Sequence, residues 1–230
     1  MEGELRKLRL FANATDESLE ALQQTMKIMF YPRGSHVFCH RNVADMVYVV
    51  YSGRFSIYKI SPSNDKRIIF LQLPGDLLND NLKPNQPNLI YCESFEDSQA
   101  LVCPLNKFLG IMRHDFELTQ AVVGQFSSKL RKNYRQLKNT LTNVPIEKKL
   151  AARIYSLKRD FGVKTPQGVL IDIPITITYL SEMLGARRET TSRAFKRLLE
   201  EGLIVYSDKK ILIPNPNDIL LFYNREKDLL

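Results

Sequence analysis

No stretch of this 230-residue chain stays apolar for the ~18–20 residues that a membrane-spanning helix needs. The opening Met1-Glu2-Gly3-Glu4-Leu5-Arg6-Lys7 lacks the apolar core of an export signal, so a cytoplasmic protein with no membrane partner is expected. Cysteine is scarce and scattered. Cys39, Cys92 and Cys103 form no C-x-x-C pair, which argues against a disulfide framework and against a sequence-local zinc site. Buried thiols are the favoured reading. Positive charge is missing from Pro84 to Asn106, where neither lysine nor arginine occurs, so a buried phosphate would find no counter-ion in that segment.

Elsewhere positive charge is abundant. The formal net charge is +8, with 44% hydrophobic and 25% charged residues, a composition typical of a globular protein able to approach a polyanion. The surplus is clustered. Lys129, Arg131, Lys132, Arg135 and Lys138 form one group, and Arg187, Arg188, Arg193, Lys196 and Arg197 form another.

From about Gly34 to Pro104 short apolar runs alternate with turn residues. Met46–Tyr51, Phe55–Ile60, Arg67–Leu73, Leu89–Ser94 and Gln99–Cys103 read as strands of a β-barrel or sandwich. An amphipathic helix from about Thr15 to Met26 precedes them, with Thr15-Asp16-Glu17-Ser18 as its start signal. A long helix is predicted from about Asp115 to Thr142. Leu130, Tyr134, Leu137 and Leu141 repeat at 4-3-4 spacing, and Val123 extends the stripe upstream. That seam suits a parallel helix pair between two subunits. Val144-Pro145 then breaks the helix and marks a hinge.

Past the hinge the pattern changes. A helix through about Phe161, a loop from Gly162 to Gly168 and a strand at Val169–Ile173 are expected. Helices at about Ile177–Leu184 and Arg187–Glu201 follow, then a hairpin of Leu203–Tyr206 with Ile211–Ile213. Helix, glycine turn, helix and hairpin make a winged helix-turn-helix. The fold class is therefore α+β, in three parts: a β-barrel with its short N-terminal helix (1–114), a dimerisation helix with hinge (115–143) and a winged helix-turn-helix domain (144–230).

On the second of those paired helices Arg188, Glu189 and Arg193 can share one face, while Phe195, Leu198 and Leu199 can face a core. Arginine matches the guanine acceptors O6 and N7, and glutamate can accept from cytosine N4. Two guanidiniums and a carboxylate at a helix N-terminus suit base edges in a major groove of double-stranded DNA.

The chain resembles the bacterial transcription regulators related to the cyclic-AMP receptor protein and the fumarate-nitrate regulator (CRP/FNR). Three glycine-marked turns carry the N-terminal part: Tyr31-Pro32-Arg33-Gly34, Asp45 to Gly53, and Leu73-Pro74-Gly75-Asp76. The C-terminal part matches without a gap from Ile173-Pro174 to Glu200, and Arg188-Glu189-x-x-x-Arg193 is its most specific feature. The resemblance implies a cyclic-nucleotide-binding-like jelly-roll barrel and a homodimer paired through Val123, Leu130, Tyr134, Leu137 and Leu141. It also implies a palindromic operator with TGTGA-like half-sites, and no enzymatic activity. Thr176, Thr178 and Thr190 fall where relatives contact phosphates; Arg187, Lys196, Lys209 and Lys210 are further phosphate candidates. RNA polymerase is an expected partner if the protein activates.

The effector is the less legible half. Relatives that bind cyclic nucleotides carry a glycine-glutamate-leucine segment and then an arginine-serine pair. Here Asn79-Asp80-Asn81 and Ile90-Tyr91 stand instead, which disfavours cyclic AMP. An iron–sulfur cluster needs four thiolates and is excluded by the cysteine pattern. Haem would need an axial ligand among His36, His40, His114, Cys39 and Cys92, and surface histidines with core thiols are the favoured reading. The small-molecule effector is unknown. A neutral or aromatic one is expected, against Asp80, Leu89, Ile90, Tyr91, Leu130 and Tyr134, and no metal is expected. His36-x-x-x-His40 departs from the His-x-His pair of barrel oxygenases, so an enzyme is not expected. The competing class is a constitutive DNA-bound repressor or architectural protein with a vestigial sensor domain. A haem-dependent gas or redox sensor ranks below it.

Overall fold

Thr15 opens the first long helix as expected: its hydroxyl accepts from Ser18 N at 3.2 Å, satisfying a donor that the first turn leaves orphaned. The computed structural model describes residues 2–140 and 144–224, without the side chains of 2 and 136–140. In chain order the N-terminal elements are α1 (Glu2–Leu5), α2 (Asp16–Thr25), β1 (Lys27–Tyr31), β2 (His36–Phe38), β3 (Met46–Ser52), β4 (Phe55–Ile60), β5 (Lys66–Gln72), β6 (Tyr91–Ser94) and β7 (Ser98–Pro104). Next come α3 (Leu105–His114), α4 (Phe116–Thr140), α5 (Ile146–Phe161), β8 (Gly162–Thr165) and β9 (Gly168–Ile171). The chain closes with α6 (Ile177–Leu184), α7 (Arg188–Glu200), β10 (Val205–Ser207), β11 (Lys210–Ile213) and α8 (Pro216–Asn224). Two compact units form: residues 1–59 with 69–134, and 60–68 with 135–230.

In the first unit β1-β7-β3 make a three-stranded sheet, and β2-β6-β4-β5 a four-stranded one. The run Met46–Tyr51 is apolar throughout because β3 is covered on both faces. Val47 and Val49 of β3, with Leu101 and Cys103 of β7, pack against residues of α2, α3 and α4. Val50, Ala100 and Val102 alternate to the other face and meet Phe38, Phe55, Ile57 and Cys92 between the sheets. The Gly53 turn has φ +73°, and a side chain there would collide with Ser98, so glycine is required on two counts.

One helical stretch from Asp115 is preceded by another that the sequence pattern did not announce. Asp115 separates α3 from α4: it leaves helical geometry (φ −128°, ψ 101°). One carboxylate oxygen accepts from Leu118 N at 2.9 Å and the other from Thr15 N at 2.9 Å. Those bonds and others hold its carboxyl below the usual range against the opposing effect of burial.

In the second unit β10-β11-β9-β8 form one antiparallel sheet. The segment expected as a loop from Gly162 is therefore strand β8, whose Gly162 to Thr165 pair with Ile171 to Gly168. Only Val163 is apolar in it, so its ladder bonds rather than burial hold it in place. The β10–β11 turn places Asp208 (φ 51°) and Lys209 (φ 60°) in left-handed geometry, as a two-residue type I′ hairpin demands. Leu150, Ile154 and Leu157 of α5 are buried, as are Ala194, Phe195 and Leu198 of α7.

Candidate nucleic-acid interface and sensor core

Thr176 caps α6, its hydroxyl accepting from Tyr179 N at 3.1 Å. Gly185 ends that helix in the left-handed conformation (φ 63°, ψ 40°), the usual role of glycine at a helix C-terminus. Ala186 and Arg187 lead directly into α7. At 100° per residue, Arg188, Ser192, Lys196, Glu189, Arg193 and Arg197 sweep one half of the helix, and all are exposed. Thr191, Ala194, Phe195 and Leu198 fill the opposite arc and are buried. Leu199 departs from the sequence expectation at 36% exposure, because its angle sets it beside Arg188 at the edge of the polar face.

The polar face divides by what its charges do. Lys196 pairs with Glu200 at 3.5 Å and Arg197 with Glu201 at 2.9 Å. On the hairpin, Lys210 pairs with Asp172 at 2.6 Å, while Lys209 is exposed. Arg187, Arg188, Glu189 and Arg193 have no side-chain hydrogen bond or ion pair among the described residues. Arg187 stands at the N-cap without capping, so the positive end of α7 faces outward beside three guanidiniums. Thr178 is exposed and Thr190 half-buried. The hairpin is braced against this helix: Phe195 meets Tyr206 edge to face at 5.2 Å, and the Tyr206 hydroxyl donates to Ile175 O at 2.8 Å.

Among the six expected effector residues, a hydrogen bond joins Asp80 to Leu89, and Ile90 and Tyr91 follow Leu89 in the chain. The Asp80 carboxylate closes its own loop, accepting from Leu89 N at 2.8 Å and Asn81 Nδ2 at 3.3 Å. Leu89 is exposed, whereas Ile90 packs against the inter-sheet core. Tyr91 lies on the face of β6 opposite Cys92, stacked on Tyr58 at 5.1 Å. Leu130 and Tyr134 are 50% and 60% exposed on α4. With Phe116 and Val123 they form one exposed apolar stripe. The side chain of Leu137, and Leu141 altogether, lie outside the described residues.

A different part of α4 enters the barrel. Leu118, Val122, Gln125 and Lys129 share one helical face, and the first two are buried. Gln125 Nε2 donates to Gly75 O at 2.7 Å and its Oε1 accepts from Leu77 N at 2.8 Å. One turn on, Lys129 Nζ donates to Leu77 O at 2.6 Å and Asn79 O at 2.9 Å. Burial pushes its ammonium down to about 8, helped by Arg9 and Lys132 and opposed by Asp80. The sequence sets Lys129 in a basic run, yet the fold takes it out of the solvated cluster. The helical period joining it to Leu118 and Val122 is the signal that separates it.

Burial raises the Cys92 thiol well above its ordinary value and lifts that of Cys103 to about 11, so both stay protonated. His36 Nε2 shares a 2.7 Å hydrogen bond with the Tyr58 hydroxyl. Among the described residues no group of three His, Cys, Asp or Glu is placed to hold a metal ion. No described helix is long and apolar enough to cross a membrane.

Comparison with known proteins places both units. Residues 28–115 match the cyclic nucleotide-binding domain, and residues 148–219 match the Crp-like helix-turn-helix domain. A CRP-like cAMP-activated global transcriptional regulator of Mycobacterium tuberculosis is 20% identical over 215 residues, covering 93% of this chain and 95% of that protein. A global nitrogen regulator of Synechococcus elongatus is 22% identical over 83% of this chain and 87% of its own. Among solved structures, a CooA mutant from Carboxydothermus hydrogenoformans superposes with a TM-score of 0.75 at 17% identity, over 89% of this chain and 90% of that one.

Proposed function

The chain belongs to the CRP/FNR family of helix-turn-helix transcription regulators, which are not enzymes, and from that premise we propose that it binds a two-fold symmetric operator as a homodimer under the control of a small effector in its barrel. The observation that carries this reading is the state of α7. Arg188, Glu189 and Arg193 are exposed and without side-chain partners among the described residues, although suitable counter-charges occupy the same helix. In a major groove Arg188 and Arg193 take guanine O6 and N7, and Glu189 accepts from cytosine N4. A TGTGA-like half-site supplies those bases.

Around this triad Arg187, Thr176, Thr178, Thr190, Lys196 and Lys209 are placed for phosphates, contacts that fix register without reading sequence. Lys210 contributes less, because Asp172 already holds it at 2.6 Å. The exposed stripe of Phe116, Val123, Leu130 and Tyr134 on α4 is the seam of the pair. Covering it against a second copy removes apolar surface from water and sets two α7 helices one DNA turn apart, ~34–36 Å.

Selection of binding sites from a random duplex pool tests the proposal. An enriched inverted repeat with TGTGA-like arms is expected. Enrichment of single, unpaired half-sites or of no motif contradicts it.

A further inference from the structure

Residues 6–15, between α1 and α2, form turns rather than a regular element, yet Leu8, Leu10, Phe11 and Ala14 are buried. They share one apolar cluster with Leu77, in the turn after β5, and with Leu118 and Val122 of α4. Apolar packing is non-directional and would accept several placements of such a segment. Polar bonds at its two ends fix this one.

The first fixed point is the turn after β5. A side chain at Gly75 would meet the backbone N of Arg9 at 2.7 Å, so the segment lies directly against the turn. Asp76, buried beside it, accepts from Leu73 N at 2.8 Å with one carboxylate oxygen and pairs with Arg9 through the other. A buried carboxylate needs a counter-charge, and Arg9 brings it. The second fixed point is the head of α4. One oxygen of Asp115 accepts from Thr15 N at 2.9 Å and from the Thr15 hydroxyl at 3.2 Å. Its other oxygen caps α4 through Leu118 N at 2.9 Å. Between these points Arg6 Nη1 donates to Ala14 O at 3.2 Å, and Arg6 pairs with Asp16, which closes the segment on itself. Farther along α4, Gln125 returns to Gly75 O and Leu77 N. Turn, segment and helix therefore form one closed circuit of bonds.

We propose that residues 6–15 are a strap that positions α4, and that Arg9 is the positioning residue that fastens it. The strap ties the Gly75–Asp76 turn to the head of the helix whose exposed stripe, beginning at Phe116, meets a second copy. With Arg9 in place the turn and the helix move as one body. Without it α4 keeps its apolar face on the barrel but loses its fixed pitch, and the surface it offers a partner is no longer defined. The inference rests on the reading of that stripe as the seam of the pair.

Hydrogen exchange, followed by mass spectrometry in the full chain and in its Leu130→Glu form, reads the strap with and without a partner. Sedimentation equilibrium reads the pair. Arg9→Met, Arg9→Lys and Lys7→Met are compared with wild type. Lys7 lies in the same segment and pairs with Glu4 at the surface at 2.6 Å, so its replacement removes an equal charge. Arg9→Met is expected to speed exchange across residues 118–126 by ~10-fold, the effect of losing one charge-assisted hydrogen bond, and to raise the dimer dissociation constant by a similar factor. Amides of β3 and β7 keep their wild-type rates, Arg9→Lys retains part of the protection, and Lys7→Met changes neither readout. Unchanged exchange in α4, equal acceleration in β3 and β7, or an equal effect of Lys7→Met each overturns the strap. Faster exchange in α4 with an unchanged dissociation constant overturns its part in positioning the seam. A wild type that is monomeric at every concentration contradicts the seam reading instead, and exchange in α4 then decides alone whether the strap holds the helix.

Discussion

At the head of α7 an arginine, a glutamate and, one turn later, another arginine are exposed without side-chain partners among the described residues, while Lys196 and Arg197 just beyond are tied to Glu200 and Glu201. Arg188→Ala is expected to cost ~1–3 kcal/mol on the cognate site and to relax preference at one base pair. Fluorescence anisotropy on the site, on its single-base variants and on random duplex checks this; equal loss on all three sinks it. The triad was legible in the sequence because a 3.6-residue period alone separates its face from Phe195 and Leu198. Lys129 was not legible, since a lysine within a basic run reads as solvated until its helical face is known. Its folded pKa of about 8 lies below its ordinary value of 10.5, so the unfolded chain binds more protons between those values and stability rises with pH across that window. Urea midpoints should therefore move in favour of the wild type over Lys129→Met from pH 8 to pH 10. A constant difference contradicts the burial of that ammonium.

Helix α4 presents two stripes about a third of a turn apart. One, with Leu118 and Val122 buried, fastens to the barrel; the other, through Val123, Leu130 and Tyr134, faces water. Leu130→Glu places a charge in the second without touching the first. Monomers by sedimentation, with an unchanged barrel, are expected, and an intact dimer rejects the seam. In α7 Phe195→Ala removes a buried ring edge-on to Tyr206, with an expected loss of ~3–5 kcal/mol in stability; a change below ~1 kcal/mol in chemical denaturation would show that the ring does not brace the hairpin. Elements with a strong period or a clear stop were readable: α2, α5, α6, α7 and the hairpin. Those missed had weak signals. The β1 run Ile28-Met29-Phe30 is exposed at a sheet edge, β8 carries one apolar residue, and α3 merges in pattern with α4 except for the break at Asp115.

Across the whole chain the +8 charge adds a sequence-independent attraction to the specific contacts. The logarithm of operator affinity should fall linearly with the logarithm of salt, and Lys209→Ala should lower the slope by ~0.9 per protomer without changing base preference. An unchanged slope removes Lys209 from the phosphate-binding set. The two units carry separable information. The helix-turn-helix half is written in surface residues whose chemistry points to a partner, whereas the barrel half keeps Lys129 on the helix face that packs against it.

Guanine-methylation interference along a bound operator tests the central proposal most directly, because a methyl on N7 blocks an arginine from the major-groove edge. Two clusters of sensitive guanines are predicted, related by two-fold symmetry and centred ~10 base pairs apart. In Arg188→Ala one guanine of each cluster should become insensitive to methylation. A single cluster, or sensitivity unaffected by Arg188→Ala, contradicts a paired scaffold reading both arms with this triad.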